Sequence, residues 1–309
     1  MGRGPAGQTR GAVNRVDSDT QRLGVGLGLG AAAALGLAIA VSRFAYDGGT
    51  DGLTLSATRA SLMALGVLLF CRLSGRRLRL TPADTLNCAG LGVLTAFVFY
   101  GNVGSVKYIS VGLSALLFFT YPPMIAVINL LIVRERVTPI RLACILSAFF
   151  GLALMLSVSF VSIDPRGIGL SLTAAVCCAW HAVWLSRRTL HMDPFVVVAH
   201  MSVVAAVVLL GLNFFAGGFD WPRSAVGWAG FAGVVLLQGS AVPAYFISIG
   251  MIGALKSGMI TNLQPVVSIA VAFVLFGETL TPVQLAGGAM VMAGIWVMQW
   301  SDARMLAVR

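Results

Sequence analysis

Ten apolar runs of about 20 residues follow one another along this chain, separated only by short polar pieces. As a helix rising ~1.5 Å per residue, each is long enough to cross the ~30 Å hydrocarbon core of a bilayer. In lipid a helix also satisfies its backbone N–H and C=O groups within its own segment. The runs are 23–41, 53–70, 86–105, 111–133, 142–161, 168–185, 194–215, 226–249, 252–276 and 283–300. A soluble fold has no room to hide them, because 58% of the residues are hydrophobic and 10% charged. A soluble domain has roughly 45–50% apolar and 25% charged residues. The expected fold class is an all-α integral membrane protein with ten transmembrane helices and the lipid bilayer as its surroundings.

No separate soluble domain fits between the runs. Residues 1–22 are rich in Gly, Arg, Ser and Thr and are expected to form a disordered cytoplasmic tail, with 301–309 as a second cytoplasmic tail. A cleaved signal peptide is not expected: the first apolar run begins late, is long enough to span, and is followed by Arg43 and Asp47 with no small-residue cleavage site.

The 21 Lys and Arg against 11 Asp and Glu give a formal charge of +10, which raises nucleic acid as a partner until the charge is mapped. With a cytoplasmic N-terminus and alternating spans, 16 of the 21 bases fall inside, including Arg72, Arg76, Arg77, Arg79, Arg134, Arg136, Arg187 and Arg188. The acids divide six to five. Only the bases are asymmetric, as the positive-inside rule requires. The basic balance therefore reports topology, and no nucleic-acid partner is expected. Both termini are placed in the cytoplasm, and the chain in a bacterial inner (plasma) membrane.

Two stretches nearly repeat each other 143 positions apart. Ser114, Pro122, Glu135, Thr138, Pro139, Leu142, Ala143 and Gly151 recur as Ser257, Pro265, Glu278, Thr281, Pro282, Leu285, Ala286 and Gly294. This implies a duplication, with one five-helix repeat over 23–161 and another over 166–300. Five is odd, so the second repeat enters from the opposite side and the repeats are inverted. Arg134-Glu135-Arg136 then lies in a cytoplasmic turn and Gly277-Glu278-Thr279 in an outer one, with the arginines kept only inside. Exchanging the conformations of two inverted halves turns an inward-facing cavity into an outward-facing one, which is what alternating access needs.

Lys107-Tyr108-Ile109, the helix through Ser114 and Pro122, and then Glu135, Thr138 and Gly151 form one pattern. It is repeated through Ser257, Pro265, Gly277-Glu278-Thr279-Leu280 and Gly294, and over residues 23–300 it resembles the two EamA-type domains of the drug/metabolite transporter superfamily. Members of that family are mostly exporters or permeases of small metabolites. The resemblance implies secondary transport and a small-molecule partner, and it leaves the substrate open.

Pro122 and Pro265 lie inside their spans, where each removes a backbone donor and collides with the carbonyl four residues earlier, at Phe118 and Thr261. A kink is expected at both, either for packing or as a hinge bordering a cavity. Around them stand Thr120, Tyr121, Asn262 and Gln264. Tyr100 and Asn102 in the third span, with Gln238, Ser240 and Tyr245 in the eighth, its repeat partner, extend the polar set at membrane depth. Trp180 and Trp184 share a helix face with His181 beside them, a surface that suits either substrate stacking or helix packing.

Arg59 stands roughly 9 Å into the second span. An offset of 141 pairs it with His200, Ser61 with Ser202, Ala64 with Ala205 and Leu68 with Leu209. Both halves thus carry a basic-capable group there, and two roles are open: holding the fold, or contacting an anionic substrate. Thr138-Pro139 and Thr281-Pro282 read as helix starts. Glu135 and Glu278, between one helix end and the next helix start, read as structural turn residues.

None of the 11 carboxylates sits at the centre of a span. A proton-coupled exporter of cationic drugs is expected to keep such an acid. A neutral or zwitterionic solute is therefore favoured, an amino acid or related metabolite first, and coupling to protons is left open, with His181 and His200 able to titrate near neutral pH. Neither H-E-x-x-H nor G-x-S-x-G occurs, and Gly24 to Gly30 lies in an apolar helix with no preceding strand, so neither an enzyme nor a cofactor or metal is expected. Cys71, Cys88, Cys144, Cys177 and Cys178 read as small apolar residues rather than a disulfide framework. The expected function is transport by alternating access through a cavity between the repeats; the alternative is a non-transporting scaffold or receptor of the same fold. Small-residue helix faces suit internal packing and dimers equally, so monomer and homodimer both stay open.

Overall fold

The structure, a computed structural model, describes residues 6–105, 108–109, 111–132, 134, 138–156, 164–276 and 281–307. These form α1 (Ala6–Asp47), α2 (Gly52–Leu73), α3 (Pro82–Ser105), α4 (Val111–Phe118), α5 (Tyr121–Leu131) and α6 (Pro139–Met155) in the first half. The second half holds α7 (Pro165–Arg188), α8 (Pro194–Phe215), α9 (Ala225–Ile252), α10 (Ala254–Thr261), α11 (Leu263–Phe276) and α12 (Pro282–Ala307). Nine helical stretches among the described residues are long and apolar enough to span a bilayer, and α6, with 17 residues, is a shorter apolar one. The protein is an all-α, multi-pass integral membrane protein. Its outer surface carries exposed Leu65, Leu131, Val207, Phe215 and Val274, apolar side chains that suit lipid contact.

Helix α1 begins at Ala6 and α12 runs on through Ala307.

Among the described residues, twelve helices make up the nine span-length stretches and the shorter α6, because two spans are broken. The fourth divides into α4 and α5, and the ninth into α10 and α11. Helix α4 ends at Phe118 and α10 at Thr261, the residues whose carbonyls the rings of Pro122 and Pro265 displace. Proline alone does not force a break: α9 contains Pro243 and stays continuous.

The Thr-Pro pairs are helix starts. Thr138 Oγ1 accepts from Arg141 N at 3.4 Å. Thr281 and Gln284 form a reciprocal capping box, with Gln284 N donating to Thr281 Oγ1 at 3.2 Å and Thr281 N to Gln284 Oε1 at 2.9 Å. Asp51, Asp164, Asp193 and Ser224 cap α2, α7, α8 and α9. Glu135 and Glu278 lie outside the described residues.

Helices pair mainly across the repeats. Helix α1 packs on α9 as α7 packs on α3; α2 touches α9 as α8 touches α3; α11 lies against α1 as α5 lies against α7. Helix α2 also meets its own counterpart α8, and α6 meets α12. Exchanging the halves leaves every one of these statements true.

The symmetry reaches single atoms. A Cβ on Gly24 would lie 2.6 Å from Ile252 and 3.0 Å from Met251; on Gly167 it would lie 2.8 Å from Ile109 and 2.9 Å from Tyr108. All three correspondences have the offset of 143. Likewise a Cβ on Gly151 would lie 2.7 Å from Gly287 O, and one on Gly294 would lie 3.0 Å from Cys144 O. The Ser105 and Ser114 hydroxyls are 2.5 Å apart, and their counterparts on Ser248 and Ser257 are 3.2 Å apart. Lipid tails are as apolar as the helices, so close approach of backbones at small residues, together with such hydroxyl pairs, must hold the bundle.

The α2–α8 pair is fastened at both ends. Beyond the end of α2, Arg76 pairs with Asp193 and stacks on Phe195 at 4.4 Å. At its start, Thr50 Oγ1 donates to Asp220 O at 2.5 Å and Arg223 N donates to Gly48 O at 2.8 Å.

Candidate functional site

The two helix breaks meet. Tyr121, the first residue of α5, shares a hydroxyl hydrogen bond with Thr261, the last residue of α10. Both side chains are buried, and the Thr261 hydroxyl also donates to Gly258 O at 2.7 Å. Gly258 makes room for this arrangement, since a Cβ there would lie 3.4 Å from the Tyr121 ring and 3.1 Å from Ile125. Phe118 and Phe119 flank the ring, with centroids at 5.4 and 6.1 Å.

Helices α7 and α9 close around this junction. The Tyr245 hydroxyl lies against the Tyr121–Thr261 hydroxyl pair and beside Cys178. His181, three residues on from Cys178 and so on the same face of α7, packs its ring 4.7 Å from that of Phe246. Its Nε2 is buried without a hydrogen-bond partner among the described residues. The buried His181 nitrogen and the cluster of hydroxyls at the two helix breaks mark a place where a polar ligand or water has bonds to complete.

A second polar group lies further along α9. Gln238, Ala241, Val242 and Tyr245 are buried and follow the i, i+3, i+4, i+7 pattern of one helix face. Seven residues of helix separate Gln238 from Tyr245 by ~10.5 Å. Gln238 Oε1 accepts from Arg59 Nη1, and the Arg59 guanidinium lies over the Phe99 ring with its Cζ 3.9 Å from the centroid. Polar groups from α2 and α9 thus meet at one level, and groups from α5, α7, α9 and α10 at the other.

The remaining sequence candidates separate. Tyr100 and Trp180 face outward at 40% and 41% exposure. Trp184 covers Gly90 and donates its Nε1 to Asn87 Oδ1 at 3.3 Å, so it packs α7 on α3. His200 bonds its own helix, Nδ1 to Val196 O at 2.8 Å, and does not mirror Arg59. Asn262 is buried as the C-cap of α10 with its amide near the Met259 sulfur, while Gln264 is half-buried with its backbone against Gly36 on α1. Asn102 lies in α3, and its side chain is outside the described set. Pro122 and Pro265 are buried at the breaks.

Phe99, Phe246, Cys178 and the Thr261 hydroxyl join the site without having been selected from sequence as ligand-facing groups. Only Thr261 carried a local signal, its place four residues before Pro265. A groove of about 460 Å³ between α1 and α9 is lined by Arg22, Leu23, Gly26, Gly30, Ala34 and Ala244 among others, and of the polar residues singled out from sequence it contains Ser240 alone.

Comparison with known proteins agrees with this architecture. The pattern that defines the EamA-like transporter family matches residues 22–157 and again residues 165–300. An "uncharacterized transporter" of Archaeoglobus fulgidus is 28% identical over 264 residues, covering 83% of this chain and 90% of the relative. The threonine/homoserine exporter RhtA of Escherichia coli K12 is 26% identical over 252 residues, covering 80% of this chain and 81% of the relative. A solved crystal structure superimposes with a TM-score of 0.75 at 18% identity, covering 91% of this chain and 98% of the other; at that identity the likeness concerns the fold.

Proposed function

The chain belongs to the EamA-like transporter family, and on that premise we propose that it moves a small neutral or zwitterionic metabolite, an amino acid first, by alternating access between its two repeats. The observation that carries this reading is the meeting of the two helix breaks at Tyr121 and Thr261. Each broken span consists of two short helices joined by one or two residues, Phe119–Thr120 in one case and Asn262 in the other. Such a joint bends at low cost, because the hydrogen bonds across it are already missing.

With inverted repeats, bending one joint while straightening the other exchanges the open side. The Tyr245 hydroxyl and His181 Nε2 supply hydrogen-bonding groups near this crossing point. Acidic groups are lacking at the centre of every span, which favours a solute with no net positive charge. The likeness to a threonine/homoserine exporter supports export and amino-acid cargo. Both termini are assigned to the cytoplasm of a plasma membrane on the distribution of Lys and Arg.

The test is counterflow in proteoliposomes containing the purified protein, preloaded with labelled threonine and, in parallel, with each other proteinogenic amino acid. Saturable exchange of at least one is expected. Saturable binding with no movement in either direction would overturn transport in favour of a receptor or scaffold.

A further inference from the structure

We propose that Arg59 binds a carboxylate of the transported solute, so the cargo is a zwitterion or anion bearing a free carboxylate rather than a neutral molecule. This rests on the transport reading above.

An arginine kept only for the fold so near a span end has an easy course: it extends outward until its head reaches water. Arg59 turns inward instead. Its guanidinium stacks on Phe99 of α3 and donates through Nη1 to Gln238 of α9, bridging helices of both repeats. The head is surrounded by protein yet the residue retains accessible surface, as for a group at the wall of an internal space.

Among the described residues the charge there has no counter-ion. No carboxylate among the described residues forms an ion pair with Arg59, and the one ionisable group acting on it is the phenol of Tyr46. A lone cation inside a membrane protein is unfavourable unless an anion joins it for part of the cycle.

The donors left over have the shape of that anion. A guanidinium carries five N–H donors. Gln238 engages Nη1, Phe99 covers one face, and Nε has no hydrogen-bond partner among the described residues. The edge formed by Nε and Nη2 is the planar fork that grips a carboxylate through two parallel bonds. A phosphate would take the same fork, but no second Lys or Arg among the described residues acts on Arg59 to balance a dianion. A single negative charge fits.

Gln238 allows the fold role and the binding role to be separated. Gln238→Glu places a fixed carboxylate on the Arg59 head: it strengthens the α2–α9 link while occupying the cation. The measurement is proteoliposome flux of the amino-acid panel, with competition by each free acid and by its primary amide, threonine against threoninamide first. Thermal midpoints of all variants are recorded in the same detergent.

The expected result is that amides compete at least about tenfold more weakly than acids, as expected for loss of a charge-assisted bidentate contact. Gln238→Glu should lose flux at an unchanged or higher midpoint. Arg59→Lys, which keeps the charge and loses the fork, should retain a minor part. Amides competing as well as acids, or Gln238→Glu transporting normally, would overturn the carboxylate role while leaving transport intact. If no member of the panel moves in the unaltered protein, the transport reading fails and this proposal fails with it.

Discussion

Tyr121 and Thr261 join the first residue of α5 to the last residue of α10 through their hydroxyls, so the break in one repeat is fastened to the break in the other. Tyr121→Phe removes that fastening without stranding its partner, because Thr261 still donates to Gly258 O. The lost hydrogen bond is worth about 1 kcal/mol, or about fivefold in the population of this arrangement. Cys178, half-buried beside the junction, reports it. With the other four cysteines replaced by Ala, membrane-permeant thiol reagents should modify Cys178 about five times faster in Tyr121→Phe. An unchanged rate would show that the hydroxyl pair does not hold the junction closed.

Replacing Pro265 by Ala, or Pro122 together with the adjacent Pro123, restores the backbone donors and lets the span re-form as one helix. The unfolding midpoint should stay the same or rise, while counterflow should fall by at least about tenfold because the joint has stiffened. Stability and transport falling together in both variants would make the prolines packing residues.

The α6–α12 contact depends on bare backbone. A Cβ on Gly151 would lie 2.7 Å from Gly287 O, and one on Gly287 would lie 2.4 Å from Gly151 O, with no flexible side chain able to yield. Gly151→Ala and Gly287→Ala should each lose about 1–3 kcal/mol in unfolding. Gly30→Ala, where the new methyl meets nothing within 4 Å, should be neutral or gain up to about 1 kcal/mol from helix propensity. Equal effects at the three sites would remove the close contact as the cause.

Topology is tested by labelling. A single cysteine at Arg134 should resist an impermeant reagent added to intact cells, and one at Asp220 should react. The reverse result would invert the orientation read from the arginines.

The spans, the Thr-Pro helix starts and the two breaks were legible because each depends on local chemistry: an apolar run, a capping hydroxyl, a ring against a carbonyl four residues back. Which face of a span points inward was not. Tyr100 and Trp180 look as suitable for a cavity as Tyr121, yet they face outward, whereas Tyr121 is buried. Helices bathed in lipid are apolar on every side, so hydrophobic periodicity carries little information about facing. Phe99 under Arg59 and Trp184 over Gly90 are decided by which helices meet, and those meetings cross between the repeats. His200 shows the limit of alignment: it occupies the position paired with Arg59 but bonds its own turn. The offset of 143 did hold further information in Gly24 and Gly167, whose partners Tyr108 and Met251 differ in identity but match in place.

Pairing across the repeats also dictates how the protein is made. Ribosomes deliver the chain from its N-terminus, so α1, α3 and α6 enter the bilayer before α9, α7 and α12, the helices they pack against, have been synthesised. Until then, faces of the early helices such as Gly24, Gly36 and Gly151 are left to lipid or to insertion chaperones. Helix α6 waits for α12. Assembly is therefore completed only once α12 has been made, and a chain truncated before α12 is a ready substrate for membrane proteases.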